Sequence, residues 1–367
     1  MEEYINDLAG FHKPKSTLDH YDDATAAECY YDPYSRLLVH EQILSDYETI
    51  ETYKAWINSK KDLIKGKIVL DVGCGTGILS MLAAEAGAAR VIGIEWSNIA
   101  DYTEEIIKEN YMDDRVFIIK GKVGRAILPY NIRKVDVIIS MWMGFSLIQG
   151  DRLNAVIQAR DKWLAPMGVI IPDRAILYMS AISDHNFRED DIESWKNVYG
   201  YNMSCVIDEA LKHAYCRVVP PNNMVTNRCK IKEINLLTDS LKNIFKNVNF
   251  RLTALRNDHI QAFITHFTVK FSKCDNGLEI NTDPLFAPKR WGQTVMYMKD
   301  YITIRKKEKI VGTVSFFQCR AVEANPFGKS TKPFETISPT LVPRSSSFLH
   351  DLALETGTLV HRLTLLA

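Results

Sequence analysis

The chain has 367 residues, more than one hydrophobic core usually fills, so two domains or one domain with a large appendage are expected. Lys+Arg and Asp+Glu balance at 45 each, which removes any global electrostatic reason to bind nucleic acid or an anionic membrane. Hydrophobic residues at 46% and charged residues at 25% are ordinary for a soluble globular protein.

Residues 1–27 are polar and mixed, and read as a flexible N-terminus. Their start, MEEYINDLAG, is acidic and has no apolar signal region. From Tyr30 to Lys61 apolar residues recur at near-helical spacing (Leu37, Leu38, Ile43, Leu44, Tyr47, Ile50, Tyr53, Trp56, Ile57), predicting one or two amphipathic helices. Then comes KIVLDVGCGTG, a buried strand and a glycine turn, followed by a strong helix former, ILSMLAAEAGAA. RVIGIEWS reads as a strand, NIADYTEEIIKEN as a helix, and RVFIIKGK and KVDVIISMW as two more strands. RLNAVIQARDKWLAP reads as a helix stopped by Pro166, and GVIIPD as a fifth strand. This alternation predicts a parallel, doubly wound α/β sheet over residues 28–172.

After residue 173 the rhythm changes. RAILYMSAIS, RVVPPN, HFTVKFSK, GQTVMYM and YITIRKKEKIVGTVSFF predict an antiparallel β domain over 173–324. Within it, DHNFREDDIESWKNVYGYNMS is charged and aromatic, and reads as an inserted helical arm at about 185–205. Residues 325–367 begin Pro/Ser-rich and read as a tail of uncertain structure. The seven cysteines (29, 74, 205, 216, 229, 274, 319) form no CxxC pair, which argues against structural zinc and suits a reducing compartment. The longest apolar run, around 135–148, is too short to span a bilayer, so a cytoplasmic or nuclear location is expected.

The glycine turn carries Gly73, Gly75 and Gly77, with Asp71 just before it and Glu95 ending the next strand. A lone glycine triplet is weak evidence, but the order strand, glycines, helix, strand, acid is that of a nucleoside site. A pyrophosphate would be repelled by a carboxylate at Asp71, whereas the amino group of S-adenosyl-L-methionine would be attracted. Glu95 suits a ribose, accepting from both hydroxyls.

These motifs, with YYDPY (30–34), HEQIL (40–44), IIKGKV, the frame S-x-WMGF (140–145), ARDKWLAP-x-G (159–168), IPDRA-x-LY (171–178) and NVYG-x-x-MSC (197–205), resemble the protein arginine methyltransferases, most closely their main asymmetric-dimethylating branch. The resemblance spans roughly residues 28–320. It implies a Rossmann-like cofactor domain, a β-barrel domain and a dimerisation arm, on which Trp195, Tyr199 and Tyr201 are the candidate interface rings. At cofactor positions it implies His40, Asp71, Gly73, Gly75, Gly77, Glu95, Lys122 and Val123. Two family contacts are missing: an arginine is Thr49 here and a glutamate is Gly124. Losing two polar contacts, at about 1–3 kcal/mol each, weakens binding by one to several orders of magnitude.

The acceptor side departs further. A sulfonium and a guanidinium about 4 Å apart repel by roughly 4 kcal/mol at an effective dielectric near 20. The family answers with two loop glutamates that grip the guanidinium. Here Met141 stands at the first position and Gly150 at the second. A family histidine in a Thr-His-Trp loop is Arg290, within Lys289-Arg290-Trp291. Asp151 is a candidate surrogate for the second glutamate alone. The expectation is a family member with a degenerate catalytic loop, comparable to an inactive prozyme subunit, that acts as a homo- or heterodimer with an active paralogue. Arginine-rich proteins such as histones or RNA-binding proteins would be substrates of that complex. The alternative is an active S-adenosylmethionine-dependent methyltransferase with an atypical loop or another acceptor; a third reading is a decayed homologue without a function of its own.

Overall fold

The computed structural model describes residues 32–144, 146–148, 152–211, 213–244, 247–273, 277–286, 291–318, 351–356 and 359–366. After a short 3-10 turn, helices α1 (Leu37–Leu44) and α2 (Tyr47–Ser59) lead in, and α3 (Lys61–Ile64) closes the segment. Helix α2 is amphipathic: Tyr53, Trp56 and Ile57 are buried, and Asp46 caps it by accepting from the Thr49 backbone N–H.

The first sheet contains β1 (Ile68–Val72), β2 (Arg90–Glu95), β3 (Val116–Lys120), β4 (Val135–Ile139) and β5 (Leu164–Ile171). Between them run α4 (Ile78–Glu85), α5 (Ile99–Glu109) and α6 (Arg152–Trp163). All pairings are parallel, in the order β3-β2-β1-β4-β5. Near-continuous apolar runs such as VIGI and VII fit strands covered on both faces. The strand order reverses beside β1, which opens a crevice at the carboxyl ends of β1, β2 and β4.

Pro166 does not end a helix, as its sequence context suggests. Helix α6 stops at Trp163 and Pro166 lies inside β5. The register with β4 skips from Leu164 to Val169, so the proline sits in an irregularity, and β5 is the edge strand, where no ladder N–H is missed.

Strands β6 (Arg174–Ile182), β7 (Tyr215–Arg217), β8 (Cys229–Asn235), β9 (Val248–Thr253), β10 (Asp258–Lys270), β11 (Glu279–Asn281), β12 (Gln293–Ile304) and β13 (Lys309–Gln318) are antiparallel. One sheet runs β7-β12-β10-β6-β8, with β11 paired to β10. The tail adds β14 (Asp351–Thr356) and β15 (Leu359–Leu366) to a second sheet, β14-β15-β13-β9. One apolar core joins the halves, from Tyr53 and Trp56 through Trp142 to Phe263 and Phe267.

The arm is not one helix. It is a string of short turns, His185–Phe187, Arg188–Ile192 and Glu193–Lys196, and then a two-residue hairpin in which Val198 and Tyr201 exchange backbone hydrogen bonds. Tyr199 (φ 51°) and Gly200 (φ 89°) make that reversal in the left-handed region. Its base is held by the barrel. Phe187 stacks on Tyr297 at 5.1 Å, Arg188 donates to the Met298 and Lys299 carbonyls at 2.5 Å each, and Asp184 accepts from Tyr297, Asn223 and Arg217. Beyond that base, Tyr199 is 98% exposed, Tyr201 72% and Trp195 37%.

Candidate active site

The crevice has a polar half and an apolar half. The polar half is built on β1 and β2. Gly75 and Gly77 take φ of 53° and 82°, and a Cβ at Gly77 would come within 2.9 Å of Thr103, so this turn needs glycine. Asp71 is buried at the end of β1. One of its oxygens accepts from the Ser80 hydroxyl at 2.7 Å; the other, Oδ1, has no hydrogen-bond partner among the described residues. Burial pushes its pKa up to about 7, a Ser80 hydrogen bond opposes the rise, and the charge of Glu95 adds to it. A buried, half-satisfied carboxylate of this kind is a receptor for a cation.

Glu95 closes β2 and organises the turn. Its two oxygens accept the Gly75 N–H at 3.0 Å and the Ser97 N–H at 2.8 Å. His40, buried on α1, donates through Nε2–H to the Tyr34 carbonyl at 2.6 Å, and its ring lies 3.2 Å from where a Gly75 side chain would start. The structure thus gathers His40, Asp71, Gly73, Gly75, Gly77 and Glu95 at one end of the sheet. Lys122 and Val123 follow β3 in a turn; Val123 is buried, and the Lys122 ammonium lies 3.5 Å from the centre of the Trp96 ring.

The two altered positions differ in kind. Gly124 lies in the same turn, where an added Cβ would meet only the tip of Gln158, at 3.0 Å. Thr49 is buried, and its hydroxyl accepts from the Trp291 indole N–H at 3.1 Å. That bond joins α2 to the barrel, so threonine here has acquired a structural use.

The apolar half follows β4. Trp142, Met143, Leu147 and Ile148 are all fully buried in the core, which explains the greasiness of the segment. Trp142 donates to the Pro172 carbonyl at 3.3 Å, and Tyr53 donates to the Ser140 carbonyl at 2.9 Å. Met141 is half-buried and packs on that core. Gly150, Asp151, Lys289 and Arg290 lie outside the described residues.

Sequence reasoning passed over Ser80, Tyr34, Trp96 and Arg152. Ser80 was findable as the hydroxyl in the first turn of the helix after the glycines. Arg152 was findable as the first cation after a long uncharged stretch. It lies in the loop's shadow: Nη1 is 3.4 Å from the Met141 carbonyl and 3.3 Å from the Met143 carbonyl, and Cζ is 4.3 Å from the centre of the Tyr34 ring. The Thr49–Trp291 bond spans the two domains and leaves no local trace in sequence.

A glycine turn bracketed by Asp71 and Glu95 on a 3-2-1-4-5 parallel sheet, carried beside an antiparallel β domain, defines a Rossmann-like methyltransferase. Residues 69–168 match the family described as methyltransferase domain, and residues 173–325 match the arginine methyltransferase oligomerization subdomain. Protein arginine N-methyltransferase 8-B of Danio rerio is 42% identical over 294 residues, covering 80% of this chain and 70% of the relative. Protein arginine N-methyltransferase 1 of Dictyostelium discoideum is 41% identical over 302 residues, 82% of this chain and 88% of the relative. The chain belongs to the protein arginine methyltransferase family. Among solved structures, the Trypanosoma brucei PRMT1 enzyme–prozyme heterotetrameric complex with AdoHcy matches with a TM-score of 0.73 at 32% identity, over 78% of this chain and 89% of the other. Arabidopsis thaliana protein arginine methyltransferase 10 matches with a TM-score of 0.70 at 28% identity, over 78% and 90%.

Proposed function

We propose that this chain is an arginine methyltransferase homologue that binds S-adenosyl-L-methionine but does not methylate arginine on its own, and that it serves as a subunit supporting an active paralogue. The observation that carries this reading is Met141. At the position of the first acceptor carboxylate stands a thioether packed on the core.

The residues present fit the cofactor. The unpartnered Oδ1 of Asp71 would receive the amino group, and Glu95, whose oxygens each keep a lone pair beyond their backbone bond, would receive the ribose. His40 braces the glycine turn from above, and Lys122 and Val123 close the far side. The bound group would supply an electrophilic sulfonium methyl. What this chain's acceptor half lacks is the pair of carboxylates that would offset the repulsion between that sulfonium and a guanidinium.

The arm supports the subunit role. Trp195, Tyr199 and Tyr201 extend from a base fixed by Asp184, Phe187 and Arg188, and rings this exposed are suited to burial against a second chain. The solved complex pairing an enzyme with a prozyme is a precedent for such a division of labour. The rival reading, an active enzyme using Asp151, draws support from the names of the relatives at 41–42% identity, all called methyltransferases.

The test is to assay an arginine-glycine-rich peptide with the chain alone, with an active paralogue alone, and with both. No turnover by the chain and a several-fold gain for the paralogue are expected. The gain should vanish for the triple exchange Trp195→Ala, Tyr199→Ser, Tyr201→Ser, with light scattering reporting loss of the assembly. Turnover by the chain alone contradicts the reading.

A further inference from the structure

We propose that Arg152 is a resident guanidinium that occupies the acceptor side of the crevice and closes it to substrate arginine. The inference rests on the acceptor-loop reading above and goes beyond it: the half-site has not only lost its acids, it has gained an occupant.

The geometry is specific. Arg152 is the first residue of α6, directly after the loop, and its side chain turns back onto that loop. One terminal nitrogen is shared between the carbonyls of Met141 and Met143, at 3.4 and 3.3 Å. The guanidinium carbon lies 4.3 Å from the centre of the Tyr34 ring, at a distance for cation–π contact. Tyr34 also gives its backbone carbonyl to His40 and to the Ser97 hydroxyl, so the ring belongs to the segment that covers the cofactor turn. Two carbonyl acceptors and an aromatic face are the parts from which a guanidinium pocket is made without carboxylates. Here an arginine of the same chain uses all three. A second guanidinium arriving at Met141 would meet a like charge and would have to share the ring and both carbonyls with it.

The bland alternative is that Arg152 only braces the start of α6 against the loop. The two ideas differ in what happens to an incoming arginine. In the background Met141→Glu, Gly150→Glu, full-length chain with saturating S-adenosylhomocysteine is titrated into a fluorescein-labelled arginine-glycine peptide and its lysine-for-arginine counterpart. With Arg152 present the new acid at position 141 pairs internally, and the arginine peptide should bind less than about threefold tighter than the lysine peptide. Adding Arg152→Gln should raise that ratio to tenfold or more. An equal ratio with and without Arg152→Gln, in proteins whose thermal melts show a cooperative fold, overturns the proposal. A second measurement needs no glutamate background. In the unmodified chain, the arginine Nε–Hε signal that disappears in Arg152→Lys should be shifted by the Tyr34 ring current and should return towards the random-coil position in Tyr34→Leu; a random-coil position in the unmodified chain overturns the proposal. Turnover of the arginine peptide by the unmodified chain would contradict both this inference and the non-catalytic reading, whereas no turnover with an unchanged peptide ratio contradicts Arg152 alone.

Discussion

Two halves of one crevice have been treated differently by this sequence. The half formed by β1, β2 and α1 keeps buried polar groups in expensive positions: Asp71 with one oxygen unpartnered, Glu95 with both oxygens on backbone donors, and His40 wedged on the glycine turn. The half formed by the segment after β4 has become core, with Trp142, Met143, Leu147 and Ile148 buried and Met141 half-buried among them. A buried carboxylate without a cation lowers stability, and such a group has no structural use that a neutral residue would not serve better. Such a group at Asp71, beside an apolar loop, points to a ligand on that side of the crevice.

The largest effect should come from removing the half-partnered acid. Asp71→Ala should weaken S-adenosylhomocysteine binding at least about 100-fold by titration calorimetry, since a desolvated charge pair is lost. Loss of less than threefold would erase the contrast between the halves.

Next in size is the pH dependence. Asp71 in the free protein titrates at about 7, raised first by burial, and a cationic amine prefers its ionised form. Binding therefore releases a proton below pH 7, and affinity should fall by up to tenfold per unit as pH drops from 7 towards 5, while staying level above it. Asp71→Asn should flatten that slope. The linked stability runs the other way: the folded pKa lies above the unfolded value of 3.8, so the folded state holds the extra proton and the free protein loses stability as pH rises from about 4 to 7. At pH 8, where the folded carboxyl is ionised, Asp71→Asn should raise the apparent Tm of the free protein by several degrees, and the gain should shrink as the pH falls and vanish only below about pH 4.

The smallest effect separates the two altered cofactor positions. Gly124→Glu has only the mobile end of Gln158 to displace, and should tighten binding by up to about tenfold. Thr49→Arg should not, because it breaks the bond to Trp291 and forces a long side chain into a buried site. Its main effect should be a lower Tm. The sequence comparison alone would treat both exchanges as restorations.

Much of the cofactor half was legible in the sequence, because its signals are local. The strand, glycines, helix and following acid lie within residues 68–95, and the positive-φ turn explains the glycines themselves. What escaped depends on tertiary contact: Ser80 supporting Asp71, Trp291 reaching Thr49 from the barrel, and Arg152 folding back onto its own loop. The arm was legible as an aromatic insertion but not as a chain of short turns. Its charge pattern suggests a helix, while Tyr199 and Gly200 reverse the backbone and the barrel holds its base residue by residue. In the tail, alternation in DLALET and LVHRLTLL pairs as β14 and β15 beside β13, a placement set by β13's free edge that composition could not foretell.

The central claim is that this chain holds the methyl donor and cannot pass the methyl to arginine. The most direct test is a single-turnover experiment with excess chain over methyl-labelled S-adenosylmethionine and an arginine-glycine peptide, with bound cofactor measured in the same sample. The account predicts bound cofactor and no label on the peptide. Label on the peptide, lost on Asp151→Ala, would contradict it and make Asp151 the acceptor carboxylate.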